Sequence, residues 1–159
     1  MSSVSMDHES LMNTDNIALP HIKRRNGWKQ VLPRDNYYNA IAAGGINANS
    51  LDMAKWMRFL LGHNPEVMSK DEMAPAFKPF IELKGHRKYY QKWPGHVKSP
   101  YGFGWRIHTL KENESGAEET IWHHGGSVNN YRNEIALFPE SDLGICVLIN
   151  GPSKLVKTV

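Results

Sequence analysis

The stretch Thr120–Asn150 constrains the fold more than any other part of the chain. Two tight breaks, Ser127–Asn130 and Pro139–Asp142, divide it into three runs rich in Ile, Val, Leu and aromatic residues. Apolar runs of this kind, separated by short polar turns, are typical of strands joined by hairpins. The sequence therefore predicts a three-stranded antiparallel meander over this stretch.

The first of these runs contains the histidine pair His123-His124, which raises the question of a metal site. Successive side chains of a strand point to opposite faces, so the pair cannot bind one ion in regular geometry. The sequence contains no H-E-x-x-H segment, no paired cysteines and no carboxylate cluster beside the pair. We therefore expect neither a metal nor another cofactor.

Composition narrows the class of protein. A chain of 159 residues that is 40% hydrophobic and has five Trp is large enough for one domain with its own core. The net charge is +3, but the only basic run, Lys23-Arg24-Arg25, lacks an accompanying basic and aromatic stripe, so a surface turn is favoured over nucleic-acid binding. No apolar run approaches the ~18 residues of a membrane span. The single Cys146 lies in an apolar run and is expected to be a small buried hydrophobe.

Before the meander, the pattern predicts an irregular entry segment over residues 1–34, with short strands near Ile17–Leu19 and Trp28–Leu32 on either side of an Asn26-Gly27 turn. A helix follows over 49–62, with Asn49 or Ser50 as its N-cap and Gly62 as its stop. Its expected core stripe consists of Met53, Trp56, Met57, Leu60 and Leu61.

Residues 63–100 are expected to form a cleft wall or lid, since a long loop in a compact domain is often functional. A short helix from about Ser69 to Ala74, ended by Pro75, is expected within it. Residues 101–150 are predicted to form the sheet, beginning with a strand over Tyr101–Ile107. Residues 151–159 are predicted to begin a C-terminal helix, and the chain as a whole is expected to be a piece of a longer protein.

Three segments together carry a family resemblance: AIAAGGINANSLDMAKWMRFLLG, YGFGWRI and HHGGSVNNYRNEIALFPESDLGICVLIN. In order and spacing they resemble the C-terminal half of the serine β-lactamase and penicillin-binding-protein superfamily. The most similar branch is the class C β-lactamase-like group with its D-aminopeptidase, D,D-carboxypeptidase and esterase relatives. The resemblance implies an α+β fold, of which this chain would be an incomplete portion: a sheet meander with flanking helices.

The resemblance also implies a site. The family's third motif, K-T-G or H-x-G, matches His124-Gly125-Gly126. The strand edge would align the substrate, and His124 would hold a substrate carboxylate or support the proton network around the nucleophile. Gly125 and Gly126 would keep the approach open, and the backbone N–H of Ser127 would be an oxyanion donor. The alternative for His124 is a structural histidine packed beside Trp122.

Residues after the motif are further candidates for substrate binding. The resemblance places Asn130, Tyr131 and Arg132 at the mouth of the cleft. For Tyr131 and Arg132 a solvated strand end is the alternative. A second family motif, Y-x-N, is matched at Tyr37–Asn39 and Tyr131–Asn133, but neither match falls where the family has it, and both are interpreted as accidental.

The family's nucleophile motif, S-x-x-K, is absent, because no Ser of the chain is followed by Lys three residues later. The function expected is therefore that of a C-terminal fragment of a serine hydrolase acting on amides, peptides or esters, inactive alone. Its partner would be the missing N-terminal half or another copy of the chain. The alternatives are a non-catalytic module that binds peptide or cell-wall ligands, with a loop over Lys84–Lys98, or a self-associating domain.

Overall fold

The computed structural model describes residues 1–83, 89–112 and 115–153. The helices in these residues are α1 (His8–Met12), α2 (Ile41–Gly44), α3 (Ser50–Leu60) and α4 (Lys70–Met73). The strands are β1 (His21–Arg24), β2 (Gly27–Gln30), β3 (His96–Lys98), β4 (Arg106–Lys111), β5 (Glu118–Val128), β6 (Tyr131–Phe138) and β7 (Leu143–Ile149). Short 3₁₀ helices cover Asp35–Ala40, Ala74–Phe77 and Tyr89–Lys92. The chain is therefore α+β, as predicted.

The larger sheet has the strand order β3-β4-β5-β6-β7, so each strand lies beside the next one in sequence. The predicted meander is confirmed, and its three strands are β5, β6 and β7. The turn between β5 and β6 consists of Asn129 and Asn130, which both have positive φ, 50° and 66°. Two consecutive positive-φ residues indicate a type I′ turn, whose twist suits a tight hairpin.

The chain divides into two compact units. Unit 1 comprises Met1–Lys55, Gly125–Glu134 and the residues from Cys146 onward, and unit 2 comprises Trp56–His124 and Ile135–Ile145. Unit 2 has an apolar core, in which the rings of Phe77 and Trp122 stack with centroids 3.7 Å apart. The buried members of this core are Leu60, Leu61, Met73, Phe77 and Leu137.

Helix α3 begins as the sequence predicts, because Asn49 Oδ1 accepts a hydrogen bond from the Asp52 N–H at 2.9 Å. The predicted core stripe is wrong at Trp56, which is 37% exposed and stacks on Phe59 instead. The residues of this helix segment that belong to or pack against the core of unit 2 are Met57, Phe59, Leu60 and Leu61, so Phe59 takes the place predicted for Trp56.

The entry segment in unit 1 is more regular than predicted. Ser2 and Ser3 donate their backbone N–H groups to the buried Asp52 carboxylate at 2.8 and 2.9 Å. The predicted hairpin exists, but its first strand is β1 rather than Ile17–Leu19. The exposed basic run Lys23–Arg25 leads into its turn, as expected of a surface segment.

The region between α3 and β5 contains both confirmed and corrected predictions. The expected short helix is α4, and Ser69 and Glu72 form its capping box. The predicted strand over Tyr101–Ile107 is wrong in extent, because β4 begins only at Arg106 and Gly104 adopts a φ of 80° that breaks extended pairing. The expected long loop contains a 3₁₀ helix and β3. Residues 84–88 of that loop lie outside the described residues. Of the helix predicted to begin within 151–159, residues 151–153 are not helical, and residues 154–159 lie outside the described residues.

Cys146 is half-buried in β7, and burial raises the pKa of its thiol. None of the described helices has both the length and the apolar character needed to cross a membrane.

Candidate active-site strand

Strand β5 reaches the His-Gly-Gly motif at the position where its neighbour β4 stops. The antiparallel register of the two strands runs from Lys111↔Glu118 to Arg106↔His123. The motif begins with the next residue, His124, and β5 continues to Val128. The pairing of β5 with β4 therefore ends one residue before the motif begins.

His124 is half-buried in unit 2, and its ring is hydrogen-bonded to a tyrosine from the segment before β4. The distance from Tyr101 Oη to His124 Nε2 is 2.9 Å. From its sequence pattern, Tyr101 is predicted to begin a strand, with no role at the site. Trp122, which the alternative reading places beside His124, stacks on Phe77 in the core of unit 2.

His123 differs completely from His124, since its side chain is buried on the other side of β5. Its Nδ1 lies 3.3 Å from His108 Nε2, and His108 Nδ1 lies 2.6 Å from Ser99 Oγ. The same hydroxyl lies 2.6 Å from His96 Nε2. These four residues form a hydrogen-bonded chain in unit 2, which we call the histidine chain.

His108, at the middle of the histidine chain, is electrically neutral near pH 7. Burial, followed by the nearby charges of His123, His96 and Arg106, lowers the pKa of His108 from 6.5 to about 3. Burial also lowers the pKa of His96. The described residues contain no group of three or more His, Cys, Asp or Glu side chains placed to hold a metal ion. The histidine chain is therefore a polar network within unit 2, held together by hydrogen bonds among three imidazoles and one hydroxyl.

The two motif glycines lie in unit 1, and their surroundings differ. A Cβ on Gly126 would have no atom within 4 Å, whereas a Cβ on Gly125 would overlap the carboxylate of Glu134. Glu134 is buried and forms an ion pair with Arg132 at 2.6 Å. Gly126 thus leaves open space, while Gly125 makes room for a buried carboxylate.

The candidate residues after the motif have different environments in unit 1. Ser127 and Asn130 are exposed. Tyr131 is half-buried, and burial, then Tyr38, raises the pKa of its phenol. The guanidinium of Arg132 donates a hydrogen bond to the Glu134 carboxylate, so its side chain is paired rather than solvated. Two of the predicted site residues in this unit, Gly125 and Arg132, lie against the same carboxylate, that of Glu134.

Several residues around the motif gave no signal in the sequence. Glu134 stands two residues after the oppositely charged Arg132 in the run that becomes β6, and this spacing is the only hint that it is buried with a partner. Tyr101, Ser99 and His108 are distant from the motif in sequence, so only the fold reveals their contacts. Within the first Y-x-N match, the middle residue Tyr38 donates its hydroxyl to Asn47 Oδ1 at 2.9 Å. Two surface depressions, beside Glu140 and beside Trp28, contain none of the predicted site residues.

Comparison with known proteins agrees with the resemblance seen in the sequence. The family model described as Beta-lactamase matches residues 13–158. Among solved structures, the octameric penicillin-binding protein homologue from Pyrococcus abyssi is 25% identical and superimposes with a TM-score of 0.71. The penicillin-binding protein from Bacillus halodurans is 21% identical, with a TM-score of 0.57, and supports the fold alone.

The chain is short relative to both solved structures. It is covered over 95% of its length by the Pyrococcus abyssi protein but spans only 30% of that protein. For the Bacillus halodurans protein, the shares are 88% and 37%. No curated protein matches the chain significantly.

Proposed function

Since the chain belongs to the Beta-lactamase family, we propose that it supplies the substrate-aligning strand of a serine hydrolase that transfers acyl groups of amides, peptides or esters. The observation that carries this proposal is the position of His124-Gly125-Gly126 on β5, directly beyond the last residue paired with β4. A strand edge at this point can align an extended substrate by main-chain hydrogen bonds.

The motif residues have separate roles in this proposal. His124 contacts the substrate or its proton network, and the Ser127 N–H donates to the oxyanion that develops during acyl transfer. The open space beside Gly126 admits the substrate. Gly125 acts through packing, because the Glu134 carboxylate occupies the space that a side chain at position 125 would need. Asn130 and Tyr131 border the same strand end.

The nucleophile is proposed to come from outside these 159 residues, because the sequence contains no S-x-x-K. The chain alone would then bind acyl substrates without turning them over. Full activity would require a polypeptide segment that provides the serine and lysine.

Titration of the ¹⁵N-labelled chain with benzylpenicillin tests the proposal. We expect amide shifts at Gly125, Gly126 and Ser127, and we expect His124→Gln to abolish them. His63→Gln is the matched control, since His63 is a surface histidine paired with Asp142 in unit 2. The proposal fails if no shifts occur at the motif. It also fails if the purified chain hydrolyses a chromogenic cephalosporin or a p-nitrophenyl ester and a serine-directed inhibitor abolishes this activity.

We also propose that the chain associates with another copy of itself or with the segment that carries the nucleophile. Strand β7 is last in the sheet order, and its residues Leu143 and Ile145 are exposed. An apolar edge strand of this kind tends to pair with another chain. The Pyrococcus abyssi homologue is itself octameric. The molar mass in solution, measured by light scattering, tests the self-association.

A further inference from the structure

Tyr101 is held rigidly at the place where it meets His124. Its backbone N–H donates to the Ile81 carbonyl at 2.8 Å, and its own carbonyl accepts from the N–H groups of Phe80 and Ile81 at 2.9 Å. A further bridge joins Tyr101 to Arg106. A side chain fixed in this way by its backbone can orient a partner at little entropic cost.

A cation lies over the face of the Tyr101 ring. The guanidinium carbon of Arg106 is 5.9 Å from the ring centroid of Tyr101 and 5.6 Å from that of Tyr90. A cation in this position attracts the π electrons of the ring. The phenol hydroxyl consequently becomes a better hydrogen-bond donor and a poorer acceptor.

We propose that Tyr101 is a positioning residue for His124, donating its hydroxyl proton to Nε2 and so holding the imidazole neutral, with its own proton on Nδ1. The direction of donation follows from Arg106, since a phenol beneath a guanidinium is the better donor of the two groups. The distance of 2.9 Å from Oη to Nε2 is that of an ordinary hydrogen bond. In a neutral imidazole, the nitrogen that accepts a hydrogen bond fixes the tautomer.

This inference rests on the proposed function, because it assigns a protonation form to the residue that contacts the substrate there. A neutral imidazole lacks the fixed charge of the lysine in K-T-G. It is therefore a weaker partner for a substrate carboxylate than an ammonium would be. An imidazole N–H can still donate a hydrogen bond to a carboxylate, so the affinity for a carboxylate-bearing acyl ligand such as benzylpenicillin is expected to be lower than a lysine at this position would give, but not absent.

The tautomer of His124 can be measured directly by long-range ¹H–¹⁵N correlation NMR on the ¹⁵N-labelled chain, with the ring signals assigned from His124→Gln. At pH 8, we expect wild-type His124 to carry its proton on Nδ1 and to accept at Nε2. In Tyr101→Phe, we expect the preference for Nδ1–H to be lost. Tyr38→Phe is the matched control and leaves the His124 signals unchanged, since it removes a tyrosine hydrogen bond of the same length elsewhere, to Asn47.

A second variant covers the case in which Tyr101→Phe does not fold. Arg106→Gln retains the phenol but removes the cation, and we expect it to reduce the Nδ1–H population by less than Tyr101→Phe does. Wild-type His124 with its proton on Nε2 would overturn the inference, as would a folded Tyr101→Phe variant with unchanged His124 signals. These measurements need no substrate, so their outcome is independent of the benzylpenicillin titration that tests the proposed function.

Discussion

Gly125 shows how one neighbouring side chain determines which residue a motif can contain. The buried carboxylate of Glu134 lies where a Cβ at position 125 would be, and Arg132 holds it there. The absence of a side chain at this position therefore serves packing inside unit 1. The open space for a ligand is at Gly126 instead.

Replacement of Gly125 by Ala is expected to destabilise the chain by about 1–3 kcal/mol, because the new methyl group overpacks against Glu134. Gly126→Ala is the matched control and should change stability by less than ~0.5 kcal/mol, since a Cβ there meets nothing within 4 Å. Urea denaturation of both variants, alone and in a Glu134→Ala background, measures the effect. If Gly125→Ala costs the same in both backgrounds, the carboxylate is not what excludes a side chain.

His108 makes the stability of the chain depend on pH in a range where carboxylates contribute little. Its pKa is about 3 in the folded protein, whereas the ordinary value of 6.5 is expected in the unfolded chain. Between these two pH values the folded state therefore binds fewer protons than the unfolded state. The stabilisation is complete above pH 6.5 and declines as the pH falls. Between pH 7 and pH 5, the loss from this residue alone is about 2 kcal/mol.

The free energy of unfolding of wild type and His108→Gln, measured at pH 7 and pH 5, tests this dependence. Glutamine keeps a polar group in the histidine chain but does not titrate, so the variant should lose less stability between the two pH values. Equal slopes for both proteins would show that His108 is protonated in the folded state at pH 5.

Among the elements, the turn between β5 and β6 requires residues that tolerate a positive φ. Asn130 is exposed and has a φ of 66°, so its contribution is expected to come from tolerating the left-handed region. Asn130→Gly should leave stability unchanged or slightly higher, because Asn-Gly is a preferred type I′ pair. Asn130→Val should cost about 1–3 kcal/mol, since a β-branched residue is strained there. Thermal unfolding separates the two, and equal losses would instead indicate a role for the asparagine side chain.

Elements defined by local patterns could be predicted from the sequence, and elements defined by distant contacts could not. The meander and α3 follow from short-range periodicity, turn residues and a cap. The segment YGFG alternates aromatic and small residues as a strand does, yet Gly104 breaks it with a φ of 80°. Trp56 has the helical spacing of a core residue but is exposed, whereas Phe59, outside the predicted stripe, packs against the core of unit 2.

The same distinction applies to the candidate site, where residues adjacent in sequence could be predicted and residues that meet only in the fold could not. His124 and the motif glycines stand next to each other in sequence and could be found through the family pattern. Tyr101 and Glu134 contact them from other segments, and no local pattern records which strands become neighbours. The histidine chain joins His96, Ser99, His108 and His123 for the same reason, so its existence is a property of the folded sheet.

At the scale of the whole molecule, the chain is a member of the Beta-lactamase family that spans about a third of its solved relatives. If the exposed edge strand β7 mediates self-association, light scattering should give a mass that rises with concentration above the 18.1 kDa of one chain. Leu143→Lys together with Ile145→Lys should restore the mass of a single chain, since charged residues protect edge strands. A wild-type chain that remains monomeric at high concentration would contradict the self-association.

We propose that this chain holds the aligning strand of an acyl-transfer site without its nucleophile. Intact-mass spectrometry after incubation with a fluorescent penicillin and with a fluorophosphonate tests it most directly, because both reagents form covalent adducts with an activated serine. We expect the mass of the chain to remain unchanged with both reagents. A stoichiometric adduct that maps to one serine, and that is lost when this serine is replaced by alanine, would contradict the claim.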